Sequence, residues 1–330
     1  RSYTTAAAAA AAQGEAKESC EEPNAVEQLL AEVNSKLSSF HYIKEEQAAV
    51  AGGGEGGGQE VKEADSHFKQ EQHYIDTMLL WVVSCLCAGD IAHSRHVLLT
   101  LLPHVIKAQH HTDNDCAAVA KACASMCAWA NGLSANDVAA VLQTVKGLTE
   151  SAHSDLRASA FKFLVVFVPR YALGLKDSQV TSLYKMMEAG LQDTKVDVRL
   201  KAYDAYTSLL SCRELKASKR ERMVKRLMKL ARVEISKEDP TSMPQRHAGV
   251  LGLSGFVATN PYTLPAHLPA ILAFLTANIS DKPPIRAPLK QLFSSFTSTH
   301  RDEWMIFKEA FTDDQLQAVE GVESKPSYFA

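Results

Sequence analysis

The stretch Asp155-Leu156-Arg157-Ala158-Ser159-Ala160-Phe161 recurs 42 residues later as Asp197-Val198-Arg199-Leu200-Lys201-Ala202-Tyr203. Partial copies, spaced 40 to 47 residues apart, begin near Asp115, at Arg246 and at Arg286. A period of about 40–47 residues with two helices in each unit is typical of HEAT repeats. The repeat therefore predicts an all-α fold, a HEAT-like helical-repeat solenoid in which helical hairpins stack into an α-α superhelix.

Each copy of the repeat combines residues that suit the start of a packed helix. We expect Asp155 and Asp197 to cap the second helix of their repeats. The small residues Ala160 and Ala202 should let the paired helix approach closely, with apolar residues facing the stack. Because each repeat contacts mainly its neighbours, such a stack presents a long binding surface.

Helical periodicity covers nearly all of the chain after residue 70, and alternating strand patterns are missing from the sequence. Ser134 precedes Asp137 at the spacing of a capping box, and Thr312 begins a similar motif. Gly132 and Gly190 are typical of helix ends. The predicted helices are 71–88, 91–108, 114–131, 135–149, 154–168, 177–190, 196–210, 217–235, 246–258, 266–279, 285–298, 302–310 and 313–320.

Composition divides the chain into three predicted regions. Residues 1–70 form a low-complexity, disordered N-terminal insertion with an alanine run at 6–12, a possible helix at 24–40 and a Gly-rich linker at 52–58. Residues 71–240 are predicted HEAT-like repeats, and residues 241–330 a C-terminal domain. Because the first residue is Arg1, we also expect the chain to be a piece of a longer protein.

Several function classes lack their sequence signals. A net charge of −3 argues against general polyanion binding, so we expect no sequence-specific nucleic-acid contact. The most apolar run, residues 78–88, is about half as long as a membrane span, so no membrane partner is expected. The glycines at 52–58 lack the Lys-Ser/Thr ending of a phosphate loop, and neither a nucleophile elbow nor HExxH occurs. We therefore predict a non-catalytic protein with no catalytic residues.

Cysteines allow two interpretations. Cys123 and Cys127 are one helical turn apart, with His110, His111 and Cys116 nearby, so a zinc site is conceivable. The spacing of paired zinc knuckles is absent, however, and alanines surround these cysteines. We predict core thiols, no metal, and the reduced state of a cytosolic or nuclear protein.

One basic helix stands out between Arg213 and Lys237, where ten Lys or Arg residues accompany three Glu. Arg222, Arg226 and Lys229 recur at helical spacing and share one face, beside an apolar face. This basic face (Arg222, Arg226 and Lys229) predicts either a phosphate-rich or acidic partner or a solvated helix surface.

The tail ends in Tyr328-Phe329-Ala330, after Pro326, which disfavours helix. Two aromatic rings and a carboxylate would make a compact anchor, since aromatics are enriched among interface hot spots and terminal carboxylates are recognised by peptide-binding proteins. The alternative is a frayed chain end.

The sequence resembles a known family, that of proteasome activator complex subunit 4, the large HEAT-repeat activator of the 20S proteasome, in its C-terminal part. The resemblance is close over about 240–330 and plausible back to about 71. The motifs that carry it are Arg246–Leu253, Asn260–Tyr262, Thr299–Trp304, Phe311–Leu316 and the tip Tyr328–Ala330.

The resemblance implies an ATP-independent activator that caps the 20S proteasome and inserts its tail into an α-ring pocket to promote gate opening. Ala330 would supply the carboxylate and Phe329 the penultimate aromatic, after Tyr328. The family pattern is hydrophobic-Tyr-any, so Phe329 lacks a hydroxyl whose hydrogen bond would contribute about 1 kcal/mol.

The resemblance also implies binding and degradation of acetylated histones, a part in DNA repair, location in nucleus and cytoplasm, and inositol phosphate as a possible ligand of the basic face. The other open hypotheses are a generic HEAT-repeat scaffold or adaptor, which would bind partners on its concave face, and a histone- or polyanion-binding module.

Overall fold

The computed structural model describes residues 25–40, 60–87 and 91–323, and over these residues the chain is helical without any strand. The all-α prediction is confirmed. The helices are α1 Ala25–Ser38, α2 Glu60–Cys87, α3 Ile91–Thr100, α4 Leu102–Ala108, α5 Asn114–Ala128, α6 Ala135–Thr149, α7 Ser154–Tyr171, α8 Asp177–Leu191, α9 Val196–Cys212, α10 Ala217–Ala231, α11 Ser242–Ala258, α12 Leu268–Thr276, α13 Arg286–His300, α14 Trp304–Phe307 and α15 Asp313–Glu323.

The chain forms two compact units, the first ending at Phe40 and the second beginning at His41. Helix α1 belongs to the first unit and matches the helix expected near residues 24–40. All other described helices belong to the second unit.

The second unit is a stack of helical hairpins. Helices α6, α8 and α10 each pack against the helix that follows them, which gives the pairs α6–α7, α8–α9 and α10–α11. The second helices of successive pairs, α5, α7, α9, α11 and α13, also pack against one another in that order. This arrangement confirms the HEAT-like helical-repeat solenoid.

Some helix boundaries differ from the prediction. Helix α2 begins at Glu60, well before the expected start at 71, because the residues after the glycine run are mostly good helix formers. The single helix expected over 91–108 is two helices, α3 and α4, since Pro103 begins a new helix after Leu101. The last part of the helix expected at 302–310 is a 3₁₀ turn, Lys308–Ala310.

The expected capping role of the repeat aspartates is wrong. The N-cap residues of α7 and α9 are His153 and Lys195, and neither makes a side-chain cap hydrogen bond. Asp155 and Asp197 lie in the first turn instead, where a negative charge favours the helix dipole.

The repeat arginine ties neighbouring hairpins together, a role that the sequence did not reveal. Nη1 of Arg157 donates to the carbonyl oxygens of Ser151 and Ala152, both at 2.9 Å, and so holds the turn before α7. Its Nε and Nη2 donate to the two carboxylate oxygens of Asp193 in the next repeat, at 2.7 and 2.9 Å. Bidentate, charge-assisted pairs of this kind are among the stronger hydrogen bonds in proteins.

Small residues do allow close helix contact, as the repeat predicted. Ala160 and Ala202 are completely buried. Gly190 lies at the end of α8 as expected, one residue before Leu191, and a Cβ atom there would lie 2.3 Å from a ring carbon of Phe161. The glycine is therefore needed for packing of α8 on α7 and not for a turn.

Other local predictions are confirmed. Ser134 and Asp137 form the capping box of α6, with Asp137 N donating to Ser134 Oγ at 3.2 Å and Ser134 N donating to Asp137 Oδ2 at 3.1 Å. Gly132 has a φ of 76°, which favours glycine. In the part of the chain that the structure describes, no helix combines the length and apolarity that crossing a membrane requires.

The domain boundaries at 70 and 240 stay predictions. Residues 1–24 and 41–59, which include the alanine run and the Gly-rich linker, lie outside the described residues.

Candidate docking surfaces

The basic face lies on helix α10 as the sequence predicted. Met223 and Leu227 are buried against the stack, and Arg222, Arg226 and Lys229 are exposed. The structure therefore brings the three predicted cations together on one solvent-facing side of the helix.

The three cations of this face are not equivalent. Arg226 forms an ion pair with Glu188 of α8, whose side chain is only 12% exposed. Arg222 donates from Nε to the carbonyl oxygen of Ser218 at 3.3 Å, a bond within its own helix. Among the described carboxylates, only Glu188 pairs with a member of the basic face, so Arg222 and Lys229 keep their charge available for a partner.

Glu188 was missed by the sequence analysis. Burial raises the pKa of its carboxyl, while the charges of Arg226 and Lys219 oppose that shift. Its position, one turn after Tyr184 on the buried side of α8, was the available signal, because an acidic residue in an apolar register needs a partner.

Buried polar atoms surround Glu188. Its Oε1 and the hydroxyl groups of Tyr184 and Tyr206 are buried and have no hydrogen-bond partner in the described part of the chain. The rings of Tyr184 and Tyr206 meet edge to face at 5.8 Å. Burial raises the pKa of the Tyr206 hydroxyl well above its ordinary value, so this group stays neutral.

A groove of about 810 Å³ lies between helices α9, α11 and α13. Leu251, Val257 and Phe296 contribute apolar wall, and Asn260 and Gln291 contribute side-chain amides. The groove combines apolar surface with a few polar groups, which is the usual composition of a ligand or peptide site.

The buried position predicted for the central cysteines is confirmed, whereas Cys87 is exposed. Cys116, Cys123 and Cys127 are buried and free of disulfides. Burial raises the pKa of Cys123 to about 11 and those of Cys116 and Cys127 to about 12, so these thiols are protonated and weakly nucleophilic. Across residues 25–40, 60–87 and 91–323, no cluster of His, Cys, Asp and Glu could hold a metal ion.

The predicted docking tail, Tyr328, Phe329 and Ala330, lies outside the described residues, which end at Glu323. The structure shows the helix that precedes it. Helix α15 begins with the expected motif, since Thr312 N donates to Gln315 Oε1 at 3.1 Å and Gln315 N donates to Thr312 Oγ1 at 3.4 Å.

These features define a class of protein: a helical-repeat scaffold that offers a charged face and an apolar groove. Residues 243–330 match the family described as "Proteasome activator complex subunit 4-like, C-terminal", and residues 116–274 match one described as "IPO5-like, TPR repeats". The resemblance to the proteasome activator complex subunit 4-like family that the sequence indicated is therefore confirmed for residues 243–330.

Curated relatives agree with this family. Proteasome activator complex subunit 4 of Homo sapiens is 30% identical over 207 residues, which are 59% of this chain and 11% of the relative. Proteasome activator complex subunit 4A of Danio rerio is 29% identical over 273 residues, 78% of this chain and 15% of the relative. Proteasome activator subunit 4 of Arabidopsis thaliana is 24% identical over 261 residues, 78% of this chain and 14% of the relative. The chain thus spans 11 to 15% of these relatives.

Proposed function

We propose that this chain is the docking part of an ATP-independent proteasome activator, which caps the 20S core and inserts its tail into an α-ring pocket to promote gate opening. The match of residues 243–330 to the C-terminal family of proteasome activator complex subunit 4 carries this proposal. The names of the relatives support the coarser role, that of a proteasome activator.

The tail is the part of the chain whose chemistry fits such a pocket. Tyr328 and Phe329 supply aromatic rings, which contribute strongly to interfaces, and Ala330 supplies a carboxylate that a pocket lysine would pair with. The chain itself performs no chemistry in this proposal, so it acts only by binding and by shifting the gate.

The test is deletion of Tyr328–Ala330, followed by pull-down on purified 20S particles and by hydrolysis of a fluorogenic peptide. We expect the variant to keep its helical circular dichroism but to lose both 20S binding and stimulation of hydrolysis. Unchanged binding after the deletion would overturn the tail-docking proposal. It would favour a generic HEAT adaptor, which binds its partners on the concave face.

Phe329→Tyr tests the gate separately from docking. The added hydroxyl restores the family's usual tyrosine and adds a hydrogen bond of about 1 kcal/mol, or about fivefold in an equilibrium constant. We expect stronger peptide hydrolysis at saturating chain concentration. Equal hydrolysis by both forms would show that the missing hydroxyl does not limit gate opening.

Histone binding, DNA repair and location in nucleus and cytoplasm belong to the same proposal. The groove between α9, α11 and α13 supports a peptide site, because its apolar wall and side-chain amides suit a neutral acetyl-lysine. Fluorescence polarisation with paired acetylated and unacetylated histone peptides is the direct measurement. The proposal requires tighter binding of the acetylated peptide, and equal affinity for the two peptides would contradict it.

A second candidate function is binding of a polyphosphate such as an inositol phosphate. The exposure of Arg222, Arg226 and Lys229 on one side of α10 favours it. Binding should be lost in the double variant Arg222→Glu and Arg226→Glu, and its persistence there would exclude the basic face.

A further inference from the structure

Large apolar side chains are exposed mainly along one edge of the second unit. Among the described residues, six such side chains are at least 60% exposed, and Leu80 in α2 is one of them. The other five follow the C-terminal ends of second helices in the repeats. We call them the apolar edge: Trp129, Leu173, Tyr262, Met305 and Ile306.

Hydrogen bonds show that the first of these helix ends are neighbours. The hydroxyl of Tyr171, at the end of α7, donates to the carbonyl oxygen of Ala130, just after α5, at 2.8 Å. Nη1 of Arg213, just after α9, lies 3.3 Å from the carbonyl oxygens of both Ala172 and Leu173. The ends of α5, α7 and α9 therefore lie side by side.

The same order continues into α11. Near the starts of α9 and α11, Nε of Arg199 donates to Nδ1 of His247 at 2.9 Å. Further along both helices, the rings of Tyr206 and Phe256 meet at 6.3 Å. The two helices therefore run parallel, and the end of α11 reaches the same edge.

The end of α13 completes the row. Nε2 of His300, the last residue of α13, lies 3.3 Å from the carbonyl oxygen of Thr263 in the loop after α11. Tyr262 precedes Thr263 and is 72% exposed. Met305 and Ile306 follow α13 and are 73% and 68% exposed.

The opposite edge, at the starts of the second helices, is chemically different. There Arg157 pairs with Asp193, and Arg246 pairs with Asp281, at 2.7 Å in each case. These arginines are paired with carboxylates within the stack. The edge at the helix starts therefore presents paired charges, whereas the apolar edge presents exposed apolar side chains.

The composition of the apolar edge fits a protein partner. Trp, Tyr and Met are enriched at protein interfaces. Charges of both signs flank the apolar residues, since Arg170 lies over the Trp129 ring at 4.8 Å and Asp177 pairs with Arg213. An anionic membrane or a nucleic acid would instead require charges of one sign.

Direct stacking of one repeat on the next leaves this edge uncovered. In a solenoid each repeat contacts its neighbours through the two end faces of the stack. The edges, where helices end, stay lateral to that contact.

The area that the tail alone would bury in its pocket is smaller than the area of a stable protein interface. An aromatic side chain buries about 150–250 Å² of accessible area, so Tyr328 and Phe329 together would bury about 300–500 Å². A stable interface buries about 800 Å² on each partner. The two aromatic side chains of the tail therefore fall short of the area of a stable interface, and a second contact surface would supply the rest.

The apolar edge lies within reach of the tail. The ring of Phe311, just before α15, is 5.7 Å from the ring of Trp304, which directly precedes Met305. Helix α15 has 11 residues and so spans about 16 Å. The seven residues after Glu323 extend at most about 25 Å.

We propose that the apolar edge is a second docking surface for the 20S α-ring, held against the ring face when the tail occupies its pocket. This inference rests on the proposed function and names the contact that accompanies tail insertion. Two weak contacts on one chain reinforce each other, because binding of the first raises the effective concentration of the second.

The test compares binding of the 330-residue chain to immobilised 20S particles for Leu173→Ser, for Met305→Ser with Ile306→Ser, and for Leu80→Ser as the matched control. These side chains are exposed, so the folded stack should survive each change. Loss of a hot-spot side chain weakens binding by about 30-fold. We expect a tenfold or greater loss for the edge variants, mainly through faster dissociation, and no change for Leu80→Ser.

The outcomes separate this inference from the proposed function. Wild-type affinity in both edge variants, together with lost binding on tail deletion, would overturn the second surface and leave tail docking intact. Weakened binding in the edge variants with no effect of tail deletion would support the edge and overturn tail docking. If the edge variants lost binding to anionic vesicles and kept full 20S affinity, the edge would be a membrane surface and the inference would be wrong.

Discussion

Substituting Gly249 by alanine should separate helices α10 and α11. A Cβ atom at this position would lie 2.2 Å from the backbone nitrogen of Ala231 and 2.6 Å from the carbonyl oxygen of Leu227. Both are backbone atoms of α10, so they cannot move aside by a side-chain rotation. Contact at ordinary van der Waals distance requires the helices to part by about 1 Å.

The cost follows from that displacement. Overpacking in a core costs about 1–3 kcal/mol and occasionally more, while alanine regains about 1 kcal/mol of helix propensity. Because the contact is with backbone, we expect a net loss of about 3 kcal/mol, which lowers Tm by about 5 °C in a chain of this size.

Other glycines of the chain provide a graded series. The Cβ of Gly252→Ala would meet the methyl end of Leu227 at 2.4 Å, which can rotate, so the loss should be smaller. At Gly255 the nearest atom is 3.1 Å away, in the Tyr206 ring. Gly147 in α6 has open space, so Gly147→Ala should be neutral or stabilise by up to about 1 kcal/mol.

Thermal and urea unfolding followed by circular dichroism at 222 nm measure this series. The expected order of stability is Gly147→Ala, then Gly255→Ala, Gly252→Ala and Gly249→Ala. Gly249→Ala with unchanged stability, or a smaller loss than Gly252→Ala, would contradict the close approach of α10 and α11.

Three further predictions concern charge. Arg246→Ala removes a bidentate ion pair with Asp281 and a hydrogen bond to the carbonyl oxygen of Val233. Urea unfolding should show a loss of about 2–3 kcal/mol in the free energy of unfolding. A loss below about 0.5 kcal/mol, which is typical of a surface substitution, would refute the inter-repeat role of this arginine. The folded-state pKa of Glu188 is raised, so its contribution to stability is greatest at low pH and is lost as pH rises through the folded pKa. The stability of wild type relative to Glu188→Gln should therefore fall as pH rises from the ordinary carboxyl pKa through the raised folded-state pKa, and the opposite slope in urea unfolding would show a lowered pKa. The double variant Arg222→Glu with Arg226→Glu should abolish binding of inositol hexakisphosphate in calorimetry. Lys162→Glu, an exposed residue of α7, is the control. An equal loss of binding in the control would indicate only an effect of net charge.

The sequence predicted the helices well because their signals are local. Apolar periodicity, the Ser134 capping box and the glycine at 132 each act within a few residues, and the structure has helices close to the expected bounds. The repeat also identified Ala160 and Ala202 as contact points, since only small side chains allow close helix packing.

The sequence analysis was less accurate where one local pattern fits two different structures. An acidic residue at a helix start can cap or can lie in the first turn, and only the backbone angles of His153 and Lys195 decide between these. Gly190 lies at the end of α8 as predicted, but the Phe161 ring that requires a glycine there comes from another helix.

The candidate surfaces were predicted in part. Helical spacing placed Arg222, Arg226 and Lys229 on one face, but their unequal charge depends on Glu188, 38 residues before Arg226. The apolar edge could not be predicted, because its members are single residues in separate loops that only the stacking of repeats brings into one row.

The central claim is that the chain docks on the 20S proteasome through its tail. The most direct measurement is a cryo-electron microscopy reconstruction of the chain bound to purified 20S particles. The account predicts density for Tyr328 and Phe329 in a pocket between neighbouring α subunits, with the carboxylate of Ala330 beside a lysine. A bound chain that leaves every such pocket empty would contradict it.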